Sequence, residues 1–200
     1  QIAGVQLTLP TILTLFRVAL LPVIVVVFYL PEYFPSTRSW SNLAAAGIFI
    51  AAAVTDWLDG WIARRYNLSS AFGAFLDPVA DKLMVAVALF LIVQQNPSAM
   101  MAVSSAVIVG REISISALRE WMAELGQRAA VSVAWIGKFK TAMQIVAIVV
   151  CLHQRDFPEL RLYRIGEGLL VLAAVLTIWS AILYVRAAWP IMRDADSGKI

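Results

Sequence analysis

The amino-acid sequence predicts an all-α integral membrane protein of six transmembrane helices, with both termini cytoplasmic and a polar cavity in the cytoplasmic half. Of its 200 residues, 61% are hydrophobic and only 14% are charged, and the mean hydropathy is +0.80. Such a composition is typical of chains that lie in lipid. The single cysteine, Cys151, excludes an internal disulfide, and a net charge of +3 gives no argument for nucleic-acid binding.

The first two helices are indicated by apolar stretches on either side of a turn-rich break. Residues 9–30 carry a single charge, Arg17, and their length is close to the roughly 20 residues that cross a bilayer. They lack a signal-peptide cleavage pattern, so we expect a retained helix. After the break at residues 31–38, helix two is apolar at first and ends among acidic residues.

Helices three to five each join an apolar run to a polar half. The apolar runs are residues 83–93, 99–109 and 145–152. They are too short to span a bilayer alone. If consecutive helices are antiparallel, their polar halves gather on one side and line a water-accessible cavity. A sixth helix over residues 165–185 completes a single membrane domain, 1–200, in which 1–8 form an N-terminal segment and 190–200 a polar tail.

The distribution of lysine and arginine predicts the orientation. Arg17, Lys82 and Arg111 are left out of the count because they lie within the expected spans. Of the remaining basic residues, nine fall on the side of the cavity and four on the other side. Because cytoplasmic segments carry the excess of basic residues, we expect the cavity to open to the cytoplasm.

Four aspartates stand between strongly apolar runs: Asp56, Asp59, Asp77 and Asp81. The members of each pair are three or four residues apart, so each pair lies on one face of its helix. Two facing helices can therefore bring the four carboxylates together, where they would repel one another unless positive charge neutralised them. Hard oxygen ligands without Cys or His select Mg²⁺, Mn²⁺ or Ca²⁺. Two divalent ions would balance the four charges.

Small residues accompany the acids. Gly60 and Ala63 share a face with the first pair of aspartates, and Gly73 precedes Asp77 by one turn. The helix backbones should therefore present a smooth surface on which a flat or bulky group can lie. Arg64, one turn beyond Gly60, is available for a phosphate.

The acids and small residues stand at fixed spacings. In order, they are Asp56, Asp59, Gly60, Ala63, Arg64, Gly73, Asp77 and Asp81. This pattern resembles the signature of the CDP-alcohol phosphotransferases. The resemblance extends from roughly Leu9 to Trp189, because PTILTLFR near the start, GREISISALREWMAELG in helix four and GKFKT in helix five look like the bacterial phosphatidylglycerophosphate synthases.

The resemblance implies a donor substrate and roles for these residues. CDP-diacylglycerol would place its cytidine against Gly60 and Ala63, with Arg64 and Gly73 at the same nucleotide and pyrophosphate site. Its pyrophosphate would lie on Mg²⁺ or Mn²⁺ held by the four aspartates. Asp81 would also be the catalytic general base that takes a proton from the acceptor hydroxyl before CMP leaves. The family further implies a homodimer in the bacterial inner membrane.

A second group of candidate residues is basic: Arg111, Arg119, Lys138 and Lys140. Four cations near an acidic cluster indicate an anionic substrate. An acceptor with its own phosphate, such as sn-glycerol 3-phosphate, explains them better than serine or neutral inositol would, and in the resembling synthases these positions line a phosphate pocket. Gln144 is a candidate contact for a hydroxyl. The predicted products are phosphatidylglycerol phosphate and CMP.

Other functions stay open. Within the family, serine, inositol phosphate or phosphatidylglycerol could be the acceptor. In a different class, a cation-coupled transporter could use the aspartates as its ion site, although the second half of the sequence shows no repeat of the motif. A membrane prenyltransferase would need a second acidic cluster, and no pair of intramembrane aspartates follows Asp81. Arg111 with Glu112, and Arg119 with Glu120, could also be helix-stabilising pairs at the membrane interface.

Overall fold

The computed structural model describes residues 8–66, 70–126, 134–153 and 162–196, without the side chains of 134–139, 162 and 194–196. Within these ranges the chain is all-helical, and the six predicted helices are confirmed. The helices are α1 Leu9–Tyr33, α2 Ser41–Tyr66, α3 Ala71–Gln95, α4 Ala99–Glu124, α5 Ala134–His153 and α6 Leu162–Asp196. A 3₁₀ turn, Pro35–Thr37, joins the first two helices.

Local sequence explains where two of these helices begin and where one ends. The Ser70 hydroxyl accepts a hydrogen bond from the Gly73 N–H, and the Ser98 hydroxyl accepts one from the Met101 N–H. Each serine is therefore an N-cap that satisfies a backbone donor left free by the first turn. Beyond α4, Gly126 has φ +73°, a left-handed conformation that glycine adopts without steric cost.

Two helices extend past prolines that the sequence indicated as breaks. α1 continues through Pro31 to Tyr33, and α6 continues through Pro190 to Asp196. The expected break at 31–38 therefore starts later, and most of the expected polar tail is helical. A proline removes one backbone donor from a helix, and in membrane helices neighbouring groups can compensate that loss.

Four of the helices, α1, α2, α4 and α6, are long and apolar enough to cross a membrane. In α5 the apolar segment is shorter and covers Lys140–His153. The described part of the chain thus has the character of a protein with several membrane-spanning helices. The predictions of six spans, cytoplasmic termini and a cytoplasmic cavity remain predictions.

The helices pack in two groups. α1 packs against α2 and α3, whereas α6 packs against α4 and α5, and the groups meet where α2 contacts α5 and α3 contacts α4 and α5. Gly166 shows how closely α5 and α6 approach, because an added Cβ there would lie 2.7 Å from Cys151 Sγ. In the first group, the acidic halves of α2 and α3 both face α1.

Candidate active site

The centre of the site is the buried guanidinium of Arg17, which α1 inserts between α2 and α3. Arg17 is 2% exposed. Its Nη1 donates hydrogen bonds to Asp56 Oδ1, at 2.8 Å, and to Asp81. Its Nη2 donates to Asp59 and lies 3.7 Å from Asp77 Oδ1. One arginine therefore joins the four aspartates that the sequence singled out, and these aspartates do converge in space.

The four aspartates differ in their access to solvent. The Asp59 side chain is 1% exposed, whereas those of Asp56, Asp77 and Asp81 are 41%, 41% and 47% exposed. Asp59 forms the floor of the cluster, and the other three carboxylates can be reached from outside. A phosphate-bearing substrate could therefore reach these three carboxylates while α2 and α3 stay in place.

Three of the carboxylates are arranged so that they could hold a metal ion. One oxygen each from Asp56, Asp59 and Asp77 lies within 4.8 Å of the other two. In the described part of the chain, Asp59 Oδ1 is also buried without a hydrogen-bond partner. An all-oxygen donor set with an unsatisfied buried oxygen fits a hard divalent cation. Asp81 lies outside this group of three, in contact with Arg17.

Hydroxyl groups of α1 hold the start of α3. Thr14 Oγ1 donates to Asp77 Oδ1 at 3.0 Å. One turn earlier, Thr11 Oγ1 shares hydrogen bonds with Ser70 Oγ, at 2.8 Å, and with Thr8 Oγ1, at 2.9 Å. Both Thr11 and Thr14 are buried. The polar face of α1 thus orients one carboxylate of the cluster and the N-cap of α3.

The small residues lie in two different surroundings. The guanidinium of Arg64 covers Gly60, since an added Cβ there would lie 3.3 Å from Arg64 Nη1. Ala63 is half-buried beside it. Gly73 faces α1 instead, because an added Cβ would lie 2.7 Å from Thr11 Oγ1. Close packing of α3 on α1 therefore explains the glycine at 73, whichever substrate group it also contacts.

The predicted basic group is organised by Glu112 and Tyr184. Arg111 donates to Glu112 Oε1 at 3.3 Å and to Ser180 Oγ at 2.8 Å, and Lys140, which is 3% exposed, also donates to Glu112 Oε1. The guanidinium carbons of Arg111 and Arg119 lie 5.8 and 5.9 Å from the centre of the Tyr184 ring. Three of the four predicted cations are thus linked.

The fourth predicted cation is Lys138. It lies near the start of α5, and its side chain is outside the part of the chain that the structure describes. Its predicted role in a phosphate pocket stays a prediction.

A cavity of about 180 Å³ extends from two of the aspartates to Glu112. Asp56 and Asp81 line it from α2 and α3, and Glu112 and Gln144 line it from α4 and α5. Apolar side chains such as Phe49 complete the wall. The Glu112 carboxylate that binds Lys140 and Arg111 therefore borders the same space as the carboxylate predicted to be the general base.

Comparison with known proteins decides the family. The chain matches the CDP-alcohol phosphatidyltransferase family over residues 7–179. The chain belongs to this family. Its relatives include proteins named CDP-diacylglycerol–glycerol-3-phosphate 3-phosphatidyltransferase from Escherichia coli (strain K12) and Shigella flexneri serotype 5b (strain 8401). Each is 52% identical over 183 residues, which cover 92% of this chain and 96% of the relative.

Membership of the CDP-alcohol phosphatidyltransferases makes the protein a transferase and confirms the resemblance seen in the sequence. Sequence reasoning nevertheless missed several residues that organise its site: Arg17, Thr14, Glu112 and Tyr184. A signal for Arg17 was present, because it is the single charge in residues 9–30. Charges within membrane helices are costly and usually have a partner. The threonine and the tyrosine gave no comparable signal.

Proposed function

We propose that this CDP-alcohol phosphatidyltransferase transfers the phosphatidyl group of CDP-diacylglycerol to sn-glycerol 3-phosphate, giving phosphatidylglycerol phosphate and CMP. The observation that carries the proposal is the cavity bordered by Asp56, Asp81 and Glu112. An acceptor there would bring its hydroxyl to the acids, and its phosphate would compete with Glu112 for the cations Arg111 and Lys140 that this carboxylate binds. The names of the relatives that are 52% identical support the choice of substrates.

On the donor side, the pyrophosphate of CDP-diacylglycerol binds at the aspartate cluster. Asp56, Asp59, Asp77 and Asp81 would hold Mg²⁺ or Mn²⁺, two ions in all, which when bound would neutralise charge on the transferring phosphoryl group. The exposure of three of these carboxylates supports this placement. The acyl chains of the donor stay in the bilayer.

The cytidine and pyrophosphate occupy the surface of the small residues. Gly60 and Ala63 would contact the nucleotide, with Arg64 and Gly73 at the same site. The position of the Arg64 guanidinium over Gly60 supports a phosphate contact there. Arg64 is exposed, so its side chain can move aside when a flat base lies on Gly60.

In the chemical step, Asp81 removes a proton from a primary hydroxyl of the acceptor. The hydroxyl oxygen forms a bond to the phosphorus nearest the lipid, and the bond from that phosphorus to the oxygen of CMP breaks. CMP leaves with the electron pair, and the proton stays on the Asp81 carboxyl until it is released. The partial exposure of Asp81 beside the cavity supports its role as the base.

On the acceptor side, the phosphate of sn-glycerol 3-phosphate binds at Arg111, Arg119, Lys138 and Lys140. Among the described members, Arg111, Arg119 and Lys140 carry three positive charges, and Glu112 subtracts one, which leaves two. A phosphate monoester carries about −1.5 to −2 at pH 7. The charge of the group therefore matches this acceptor better than it matches serine, which has no phosphate.

The enzyme is further proposed to cross the bacterial inner membrane six times, with its termini and active site on the cytoplasmic side. The excess of basic residues on the side of the cavity supports this orientation. A homodimer follows from the family alone, and light scattering of the purified protein checks it.

The deciding experiment is an acceptor screen. Purified protein is given CDP-diacylglycerol, a divalent cation and one acceptor at a time: sn-glycerol 3-phosphate, serine, inositol phosphate or phosphatidylglycerol. Metal-dependent release of CMP with sn-glycerol 3-phosphate alone is the expected result. Turnover with a different acceptor, and not with sn-glycerol 3-phosphate, would identify that acceptor as the substrate. A lack of turnover with any of them would overturn the proposed reaction.

A further inference from the structure

We propose that Arg17 is a built-in counter-cation that competes with the divalent metal for the aspartate cluster. In the metal-free protein it holds the four carboxylates together, and it makes metal binding weaker than the same carboxylates would give without it. This inference rests on the metal site of the proposed function, but it concerns a residue of α1 that lies outside the family signature.

The geometry places Arg17 on carboxylates that a metal would use. Its Nη1 binds one oxygen each of Asp56 and Asp81, and its Nη2 binds Asp59 Oδ2. Asp56 and Asp59 also belong to the group of three that could hold an ion. Mg²⁺ requires oxygens at about 2.0–2.1 Å in a near-octahedral arrangement. An ion that draws on the carboxylates of Asp56 and Asp59 therefore competes with the guanidinium for them.

The charges favour competition as well. Four carboxylates carry −4, and Arg17 reduces this to −3. A cation among the ligands repels an incoming ion, so the same ligands bind metal more weakly while Arg17 is present. With two divalent ions bound, −3 becomes +1, and the loaded site then attracts the pyrophosphate of a nucleotide.

Two unsatisfied atoms indicate that the arrangement has a second state. In the described ranges of the chain, Arg17 Nε and Asp59 Oδ1 are both buried without a hydrogen-bond partner. Buried polar atoms rarely lack a partner because each unmade hydrogen bond costs stability. An ion bound at Asp59 would satisfy Oδ1, the carboxylate oxygen that remains unpaired while Arg17 holds Oδ2.

The test measures metal binding and stability instead of turnover. The full chain is reconstituted in nanodiscs, and Mn²⁺ is the probe because the EPR signal of free Mn²⁺ reports binding directly. Thermal unfolding is followed in a chelator and in Mn²⁺. Arg17→Gln removes the positive charge. Arg17→Lys keeps the charge but replaces the forked guanidinium by a single ammonium group. Arg38→Gln is the matched control at an exposed turn residue.

Arg17→Gln is expected to lower Tm in the chelator by about 5 °C or more and to tighten Mn²⁺ binding by about tenfold. Arg17→Lys should lie between Arg17→Gln and the original protein, and Arg38→Gln should match the original. Mn²⁺ binding by Arg17→Gln that is unchanged or weaker would overturn the proposal, as would unchanged stability in the chelator.

A folding failure also gives an answer. If Arg17→Gln can be purified in Mn²⁺ but not in the chelator, the proposal is supported. If it fails in both, Arg17→Lys decides, because tighter Mn²⁺ binding supports competition and equal or weaker binding refutes it. The two proposals fail differently. Competition between Arg17 and Mn²⁺ without CMP release in the presence of any acceptor would remove the proposed reaction alone. No Mn²⁺ binding by any variant would remove the metal site and the competition together.

Discussion

At the scale of single residues, the aspartates of the cluster have unequal surroundings. Asp59 is buried against Arg17, while Asp81 is partly exposed and borders the cavity. Substituting Asn keeps the shape of either side chain and removes its charge. We therefore expect Asp59→Asn to act mainly on stability and metal binding, and Asp81→Asn to act mainly on turnover.

Asp81→Asn should lower CMP release by about 10²-fold or more, because proton transfer by a positioned side chain contributes on that order. Binding of CDP-diacylglycerol should persist in part, since Asp56, Asp59 and Asp77 remain. Turnover and displacement of a fluorescent CDP-lipid are measured on the same preparation. Complete loss of lipid binding would show that Asp81 acts as a metal ligand only.

Arg119→Ala should raise the KM for sn-glycerol 3-phosphate by about tenfold, which is the size expected for one lost charge-assisted hydrogen bond. The KM for CDP-diacylglycerol should change far less, because Arg119 contacts Tyr184 on α6 and is not among the residues around the aspartates. Arg186→Ala is the matched control, since Arg186 is also an exposed arginine. Equal effects on both KM values would move Arg119 to the nucleotide side.

Individual residues also show which parts of the site can be predicted from sequence and which cannot. The convergence of the four aspartates could be predicted because helical spacing fixes which residues share a face. The role of Arg17 could not, because its partners are 39 to 64 residues away along the chain. Glu112 was considered only as a neighbour of Arg111, and its contact with Lys140 depends on how α4 meets α5.

At the scale of helices, α1 is a third wall of the site. Arg17 and Thr14 both contact aspartates, and Thr11 contacts the cap of α3. The sequence indicated a plain transmembrane span here, because its composition is almost wholly apolar. The structure gives α1 a polar face, which shows that a few hydroxyls and one charge are enough to position a site.

Gly73→Ala should lower Tm through a clash between α3 and α1. Its Cβ would lie 2.7 Å from Thr11 Oγ1, below any normal contact. The double variant Gly73→Ala/Thr11→Ala removes the clashing hydroxyl and should recover most of the loss, measured against Thr11→Ala alone.

The same pair separates packing from substrate contact. If Gly73 is needed mainly by the nucleotide, the KM for CDP-diacylglycerol will stay raised in the double variant although Tm recovers. If Tm does not fall in Gly73→Ala, then α3 can move away from α1 at no cost, and close packing is not the reason for this glycine.

The order of the helices was readable from the sequence, but some helix ends were not. Ser70 and Ser98 begin α3 and α4 as ordinary N-caps, whereas Pro31 and Pro190 do not end their helices. A proline usually ends or kinks a helix because it removes a backbone donor and its ring clashes with the preceding turn. In a membrane protein, adjacent helices change that outcome.

At the scale of the whole molecule, the proposed orientation places the turn between α1 and α2 on the opposite side from the junction of α2 and α3. Cys151 is the single cysteine and is buried, so Cys151→Ala provides a background for site-specific labelling. Arg38→Cys and Arg65→Cys are then introduced separately, both at exposed positions.

A membrane-impermeant maleimide added to intact spheroplasts should label Arg38→Cys and leave Arg65→Cys unlabelled until the cells are lysed. The reverse pattern would place the active site outside the cytoplasm. Labelling of both before lysis would contradict a membrane-spanning α2. CMP release by each variant serves as the control that the fold is intact.

The packing of the two helix groups could not be predicted from the sequence. Apolar segments indicate where the helices lie along the chain, but not that α2 meets α5 and that α3 meets both α4 and α5. Those contacts create the cavity that extends from the aspartates to Glu112. Lipid-facing and core-facing side chains are both apolar, so composition does not distinguish them.

The bond between Arg17 and the aspartates also has a consequence for how the protein is made. During synthesis α1 emerges before α2 and α3, and an arginine near the middle of an isolated helix costs about 3 kcal/mol on insertion. Its partners on α2 and α3 are translated later. Asp56 and Asp59 on α2 already pair with Arg17, so α1 and α2 are the smallest unit in which this charge is balanced, and we expect α1 to insert stably once α2 has joined it.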